Sequence, residues 1–175
     1  FDAGADVVFT GADTPAVADV ATEKGKWGIT YDWSGSCKAA RCLTAPYWNW
    51  GPIYADITKK VIDKTYVPGF EYFDADTGGL GLYGFMDGQT PTQGVSELDP
   101  AVVQEVKDIL AKMLAGEFTR FDVFAGPLYD NTGKLLLPEG QKLEQADLDQ
   151  FPEYGLGCKV CMKWLAKGIT AELPQ

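Results

Sequence analysis

The sequence predicts an α/β fold with an open, mostly parallel sheet flanked by helices. Val7–Phe9 is a short apolar run typical of a buried parallel strand. Thr14 and Pro15 are typical of a helix start, and Gly25 is typical of a helix end. The stretch Trp27–Tyr31 is predicted to form a second strand. The chain therefore opens with a β-α-β unit, the building block of an open α/β sheet.

The middle of the chain continues this pattern. Leu43–Ala45 is predicted to form another strand. A helix follows, opened by Tyr47–Pro52, and Ile53, Ile57 and Val61 lie four residues apart, so we expect them to face the core. Residues 70–73 are interpreted as a strand, and residues 78–82 as a flexible, glycine-rich segment that crosses to the next element.

The C-terminal third carries clear helix and turn signals. Asp99 followed by Pro100 predicts the start of a helix that ends at Gly116. The segment 121–137 is predicted to be a hairpin, because the run Asp-Asn-Thr-Gly at 130–133 is a tight-turn sequence. A weak, acidic helix is expected at 143–148, and a last helix at 158–167.

Composition narrows the function classes. The 175 residues are 46% hydrophobic and 23% charged, which suits one globular domain with a real core. The net charge of −10 repels phosphate backbones and anionic membranes, so we expect no nucleic-acid partner. The chain contains no histidine, which excludes catalytic triads built on that residue.

The sequence has no apolar run long enough to span a membrane. It opens at Phe1 without a methionine, so we expect a processed or truncated piece whose targeting signal lay upstream.

Four cysteines form two close pairs, Cys37 with Cys42 and Cys158 with Cys161. Their spacing is compatible with disulfides, with a zinc site built from all four thiolates, or with a reactive C-x-x-C pair. The wide gap between the pairs is unusual for a compact zinc ribbon. A disulfide over the short first loop would hold that loop in place more than it would stabilise the whole fold.

Two carboxylates follow predicted strands. Asp13 comes after the strand that ends at Phe9, and Asp32 comes after the strand that ends at Tyr31. Ligands of open α/β sheets bind outside the carboxyl ends of the strands. These carboxylates could accept hydrogen bonds from a ligand, or they could act as an acid–base pair in a hydrolase. Structural alternatives are a favourable charge near a helix N-terminus for Asp13 and a loop-bracing role for Asp32.

Large aromatic residues cluster next to the same strand ends. Trp33, Tyr47, Trp48 and Trp50 lie within 18 residues of one another, all on predicted loops. Cores seldom contain several tryptophans in this way, because a buried indole N–H needs a partner. Flat rings in a cleft can stack on flat ligands, and a site of this kind is mostly apolar with a few polar groups. We therefore predict that Trp48 and Trp33 present ring faces to a ligand, whereas Trp50 packs inside the lobe. Asn49, between two of the tryptophans, completes the predicted ligand-binding set.

Several of these segments together resemble the basic membrane protein (BMP) family of ABC-transporter substrate-binding lipoproteins. The most specific match is the run Leu43–Pro52, which contains Trp-Asn-Trp-Gly-Pro. The other matching segments are 4–9, Tyr31 with Asp32, 78–82, the helix after Pro100, 124–128 and 130–134. The resemblance covers nearly the whole chain.

The resemblance implies a type I periplasmic-binding-protein fold, two α/β lobes joined by crossing strands. Residues 1–175 would be the C-terminal lobe and closing segments, with the N-terminal lobe absent. Family members bind purine nucleosides or nucleobases between the lobes, and the family's ligand-contacting aspartate matches Asp32. Purine-nucleoside members of the family often carry a lysine where this chain has Trp48, which favours a bare base such as adenine or a different planar solute.

The family setting implies the remaining expectations. They are a periplasmic or cell-surface location, permease subunits of an ABC importer as partners, and membrane attachment only through an upstream lipid anchor. Disulfides Cys37–Cys42 and Cys158–Cys161 agree with such a location. No cofactor, metal or catalytic residue is expected. The alternatives to solute binding are a hydrolase that uses Asp13 and Asp32 on a nucleoside or sugar, and a structural module held by disulfides or zinc.

Overall fold

The computed structural model describes residues 1–148 together with Lys167 and Gly168. The chain divides into two compact units, Phe1–Glu117 and Phe118–Gln175.

The first unit is built on a three-stranded parallel sheet in the order β1-β2-β3. Its strands are β1 (Val7–Phe9), β2 (Trp27–Ile29) and β3 (Cys42–Thr44). Helix α1 (Ala16–Lys24) connects the first two and ends at Gly25, which adopts a φ of 65°. The predicted β-α-β unit therefore forms, with β1 at its predicted position and β2 ending at Ile29 instead of the predicted Tyr31.

Close contact between α1 and β2 fixes the centre of this unit. Ala18 and Ala21 are fully buried on the helix, and Gly28 lies directly beneath the helix backbone. A small core cluster joins Ala18 to Cys37, Cys42 and Ala45. Ala18 and Ala21 are therefore the residues of α1 that contribute to the core.

A second, antiparallel ribbon continues directly from the first sheet. It pairs β4 (Pro46–Trp48) with β5 (Leu80–Leu82). Helix α2 (Trp50–Ile62) starts two residues after β4. The prediction that Tyr47 and Trp48 belong to the opening of this helix is wrong, because their backbone groups pair with a neighbouring strand. The segment 78–82, expected to be a flexible crossing, supplies that strand.

Helix α2 buries less of its surface than the sequence pattern suggests. Ile53 is buried, but Val61 is 55% exposed, so the predicted core role of Val61 is wrong. The predicted strand at 70–73 is also wrong, because residues 63–79 contain no strand. Phe70 is 82% exposed, and none of the described strands forms a hydrogen-bonded ladder with its segment.

Two helices complete the first unit. They are the short α3 (Gln93–Ser96) and α4 (Pro100–Leu114), which Asp99 caps by accepting a hydrogen bond from the Ala101 N–H. Between α4 and the ribbon lies an apolar cavity of about 390 Å³. No helix in the described part of the chain is both long and apolar enough to cross a membrane.

The second unit contains small elements. They are α5 (Arg120–Val123), the hairpin of β6 (Leu128–Tyr129) and β7 (Leu135–Leu137), and α6 (Gln145–Leu148). The side chain of Asp130 accepts hydrogen bonds from the backbone N–H groups of Thr132 and Lys134, which closes the hairpin turn. The hairpin is shorter than predicted, because residues 120–123 form a helix. Cys158 and Cys161 lie outside the described residues.

Candidate functional site

The end of β2 and the strand that contains Trp48 run side by side. Beyond the last residue of β2, the Asp32 N–H donates to the Pro46 carbonyl at 3.0 Å, and the Trp48 N–H donates to the Asp32 carbonyl at 3.2 Å. Asp32 and Tyr47 form a parallel bridge. Because both backbone polar groups of Asp32 are paired, its position next to Trp48 is fixed by the strands.

Asp32 has an unusual backbone conformation. Its φ is 78°, in the left-handed region where aspartate is one of the few non-glycine residues found regularly. Its side chain is half-buried and makes no hydrogen bond or ion pair with any residue that the structure describes. The carboxylate therefore remains available to a ligand, while the backbone holds the turn.

Three rings next to this point form a continuous stack, which we call the aromatic ladder: Trp48, Trp50 and Tyr54. The ring centroids of Trp48 and Trp50 are 5.9 Å apart with planes tilted by 33°, and those of Trp50 and Tyr54 are 5.7 Å apart at 20°. Their exposed fractions are 37%, 51% and 61%. Offset stacks of this kind gain about 0.5–1.5 kcal/mol per pair beyond buried area. The prediction that Trp50 packs inside the lobe is wrong, because its ring stacks outside, between two other exposed rings.

Trp33 lies on the loop that follows Asp32. Its ring covers Gly35 so closely that a Cβ atom at that glycine would come within 1.8 Å of the ring. The side chain is 50% exposed and makes no ring contact with the aromatic ladder among the described residues. Glycine at position 35 therefore lets this ring lie flat on its own loop, separate from the ladder.

A buried hydroxyl pair and a disulfide brace this loop. Ser36 donates to the Thr30 hydroxyl at 2.9 Å and approaches the Trp33 carbonyl at 2.7 Å, and both hydroxyl residues are fully buried. Cys37 and Cys42 form a disulfide with Cα atoms 5.4 Å apart. These contacts tie the loop that carries Trp33 to the start of β3.

The other two predicted ligand residues are placed differently. The Asn49 amide nitrogen donates to the Gly78 carbonyl at 3.0 Å, so part of its hydrogen-bonding capacity holds the chain next to β5. Asp13 is exposed in the loop between β1 and α1. In the described part of the chain, no hydrogen bond or shared partner joins the side chains of Asp13 and Asp32.

One contributor to the aromatic ladder was missed from the sequence, and one contact of Tyr47, a residue of the predicted aromatic cluster, could not be foreseen. Tyr54 extends the aromatic ladder, and its spacing of four residues from Trp50 on one helix was the signal that could have identified it. Tyr47 lies across Gly81 of the neighbouring strand and accepts a hydrogen bond from the Gln89 amide at 3.1 Å. This second contact joins segments 42 residues apart, and no local pattern indicates it.

The lysines on the same helix as the ladder are already paired. Lys60 forms ion pairs with Asp56 at 2.7 Å and with Glu71 at 2.6 Å, and its hydrogen bonds to these two carboxylates raise its pKa above the usual value. Lys59 pairs with Asp63. In the portion of the chain that the structure describes, no group of three His, Cys, Asp or Glu side chains could hold a metal ion.

No family model and no curated protein matches this chain. A solved structure from Bacillus halodurans, described as a transcriptional activator of the comK gene, is similar in fold, with a TM-score of 0.51 at 16% sequence identity. The similarity covers 65% of this chain and 38% of the other, so the chain spans well under half the length of that protein.

This similarity contradicts the predicted import function. A protein that shares the fold is described as a transcriptional activator, so the role as an ABC-importer component, the permease partners and the purine cargo are withdrawn. A fold hosts many functions, and the resemblance read from the sequence could not choose among them. The prediction of no nucleic-acid partner is contradicted too. That prediction rested on the net charge, which describes the whole surface and not the local surface where a partner would bind.

Proposed function

We propose that this chain is the ligand-sensing module of a regulatory protein. The aromatic ladder is the observation that carries the proposal, because it exposes three stacked rings. The backbone of Trp48, at one end of the ladder, is hydrogen-bonded to that of Asp32. The fold similarity to a transcriptional activator supports regulation as the setting.

The proposed architecture is the C-terminal lobe of a two-lobed, type I periplasmic-binding-protein-like fold, as the BMP resemblance implies. The parallel sheet of β1, β2 and β3 with its connecting helix supports this architecture. In open α/β sheets, ligands bind outside the carboxyl ends of the strands, which is where Asp32 and Trp48 lie. A ligand that prefers one arrangement of such lobes shifts the population toward it, and a regulatory protein can transmit that shift.

The ladder suits a flat ligand of modest size. Exposed indole and phenol rings offer large, rigid contact area at a small cost in conformational entropy, since each side chain has only two rotatable bonds. Trp48 ends β4 and Trp50 starts α2, so two regular elements hold the rings in place. A site on such elements is already formed before the ligand arrives.

Thermal unfolding in the presence of a panel of flat aromatic compounds tests the proposal. A compound present at 100 times its Kd stabilises the folded state by about 2.7 kcal/mol, which raises the melting temperature by several degrees. We expect at least one compound to stabilise the wild-type chain and to lose most of this effect with Trp48→Ala or Trp50→Ala. Phe70→Ala is the matched control, because Phe70 is an 82% exposed ring outside the ladder. If no compound stabilises the chain, or if the ladder variants respond like wild type, the proposal is wrong.

A mobility-shift assay with duplex DNA tests the regulatory setting. The assay is run with the stabilising compound present and absent, in a protein that contains this chain at its full natural length. We expect DNA retention to change with the compound, and to stop responding in the Trp50→Ala variant. DNA retention that is the same with and without the compound contradicts a sensing role in DNA-level regulation.

A further inference from the structure

We propose that the flat ligand of the aromatic ladder carries an aliphatic chain, and that this chain lies in the apolar cavity between α4 and the ribbon of β4 and β5. This inference rests on the proposed function, because it assigns a chemical class to the ligand of the same ladder.

The first argument is the chemistry of the cavity walls. The volume of about 390 Å³ lies within the range of about 300–1,000 Å³ that is typical of small-molecule sites. No side chain that lines the cavity contains nitrogen or oxygen, and the main contributors from α4 and β5 are Val106, Ile109, Leu110, Met113, Leu80 and Leu82. A polar group of a ligand would lose its hydrogen bonds to water there and find no side-chain partner, whereas an aliphatic chain has none to lose.

The second argument is the incomplete cover of α4. The four α4 residues that line the cavity have the spacing of a single helix face, which another element normally covers. Leu110 is only 8% exposed, but Ile109, on the same face, is 42% exposed. The residues that the structure describes therefore leave part of this apolar face open to solvent, and a ligand can enter the cavity from that side.

The third argument places Trp48 on the cavity face of the ribbon. Paired residues of an antiparallel ribbon point to the same face, and successive residues alternate between faces. Trp48 pairs with Leu80, whereas Tyr47 pairs with Gly81. The Tyr47 ring lies across Gly81, which agrees with this alternation. Trp48 therefore shares the face of Leu80 and Leu82, the two β5 side chains that line the cavity.

The ladder and the cavity thus form one continuous apolar surface. Two residues of a strand span about 7 Å, so a chain of a few carbon atoms reaches from a ring stacked on Trp48 to the cavity wall at Leu82. Met113 lies on the opposite wall, and its unbranched side chain adapts to irregular apolar shapes. The site therefore selects for a flat ring joined to a short aliphatic chain.

Isothermal titration calorimetry with two matched probes tests this inference. Both probes are uncharged at neutral pH, and 2-pentylquinoline carries an aliphatic chain that quinoline lacks. Since each buried methylene group favours binding, we expect the wild-type chain to bind 2-pentylquinoline about 100-fold more tightly, equivalent to about 2.8 kcal/mol.

Two variants of the cavity wall should reduce this preference to about tenfold or less and leave quinoline binding unchanged. Ala75→Leu fills part of the cavity, and Met113→Gln places an amide in its wall at almost unchanged shape. The matched controls are Ala111→Leu and Leu114→Gln, at exposed positions of α4 outside the cavity, and both should keep the preference. Circular dichroism checks that each variant folds, and either cavity variant is sufficient for the test.

The outcomes separate this inference from the proposed function. Equal affinity for the two probes, or a preference that the folded cavity variants retain, overturns the assignment of the cavity while flat-ligand binding stands. A dimer in size-exclusion chromatography that Met113→Gln dissociates would assign the cavity to a second copy of the chain and overturn it as well. If neither probe binds and the wider panel of flat compounds also fails, the proposed function fails too.

Discussion

Replacing Gly28 by alanine tests how tightly α1 packs on β2. A Cβ atom at position 28 would lie 2.8 Å from the Ala18 Cα and 3.1 Å from both the Ala18 nitrogen and the Val17 carbonyl oxygen. All three are backbone atoms, so no side-chain rotation can relieve the contact. The helix would have to move away from the sheet.

The expected cost follows from these distances. Carbon atoms in contact are normally about 3.5–4.0 Å apart, so the new Cβ is too close to the Ala18 Cα by about 1 Å. Overpacking of this kind costs about 1–3 kcal/mol. Ala18 belongs to the core cluster and is fully buried, which leaves little room for adjustment. Against a typical total of about 5–15 kcal/mol, the change should be plainly measurable.

Urea unfolding followed by circular dichroism provides the assay. We expect the Gly28→Ala midpoint to fall by about 1 M, which is a cost of about 2 kcal/mol divided by an m of about 2 kcal/mol/M. Gly11→Ala is the matched control, because a Cβ there meets no atom within 4 Å. The free energy of unfolding of this variant should stay the same or rise by up to about 1 kcal/mol, because alanine has less conformational freedom than glycine in the unfolded chain. Equal midpoints for the two variants would refute the close packing of α1 on β2.

Two further predictions concern the disulfide and acid stability. Replacing Cys37 and Cys42 by alanine should cost about 2 kcal/mol of unfolding free energy, as chain entropy gives for a sequence separation of 5; an unchanged denaturation midpoint contradicts this. Hydrogen bonds from Lys142 and Thr119 lower the Asp122 pKa from 3.8 to about 2. The contribution of the ionised Asp122 carboxylate to the free energy of unfolding is therefore complete above about pH 4, and it is lost as the pH falls through about 2. In denaturation measured as a function of pH, the Asp122→Asn variant should therefore lose less stability in acid than the wild type does. The control Glu139→Gln, at an exposed position, should lose as much as the wild type.

The elements that the sequence predicted well depend on local signals. The first strand, the helix that stops at Gly25 and the helix capped by Asp99 all form close to their predicted positions. Caps, glycine stops and short apolar runs act within a few residues, so they can be recognised without a tertiary structure. The Asp-Asn-Thr-Gly turn at 130–133 is of the same kind.

The failures occurred where partners are distant along the chain. The segment 70–73 contains aromatic residues typical of a strand, yet no strand among the described residues forms a ladder with it, whereas the glycine-rich segment 80–82 pairs with β4. Strand formation requires a neighbouring ladder, and the sequence does not identify that neighbour. The prediction that Val61 is buried failed for a similar reason. Helical spacing shows which residues share a face of the helix, but not whether another element covers that face.

The candidate site shows the same division. By itself, the sequence determined that a carboxylate and several tryptophans follow neighbouring strands, because residue type and strand position are local properties. Only the tertiary structure decided that the backbone of Asp32 pairs with that of Trp48, that Trp50 stacks outside with Tyr54, and that Asp13 is exposed. The physical reason is that register and packing set which side chains meet, and both depend on the contacts of the whole folded chain.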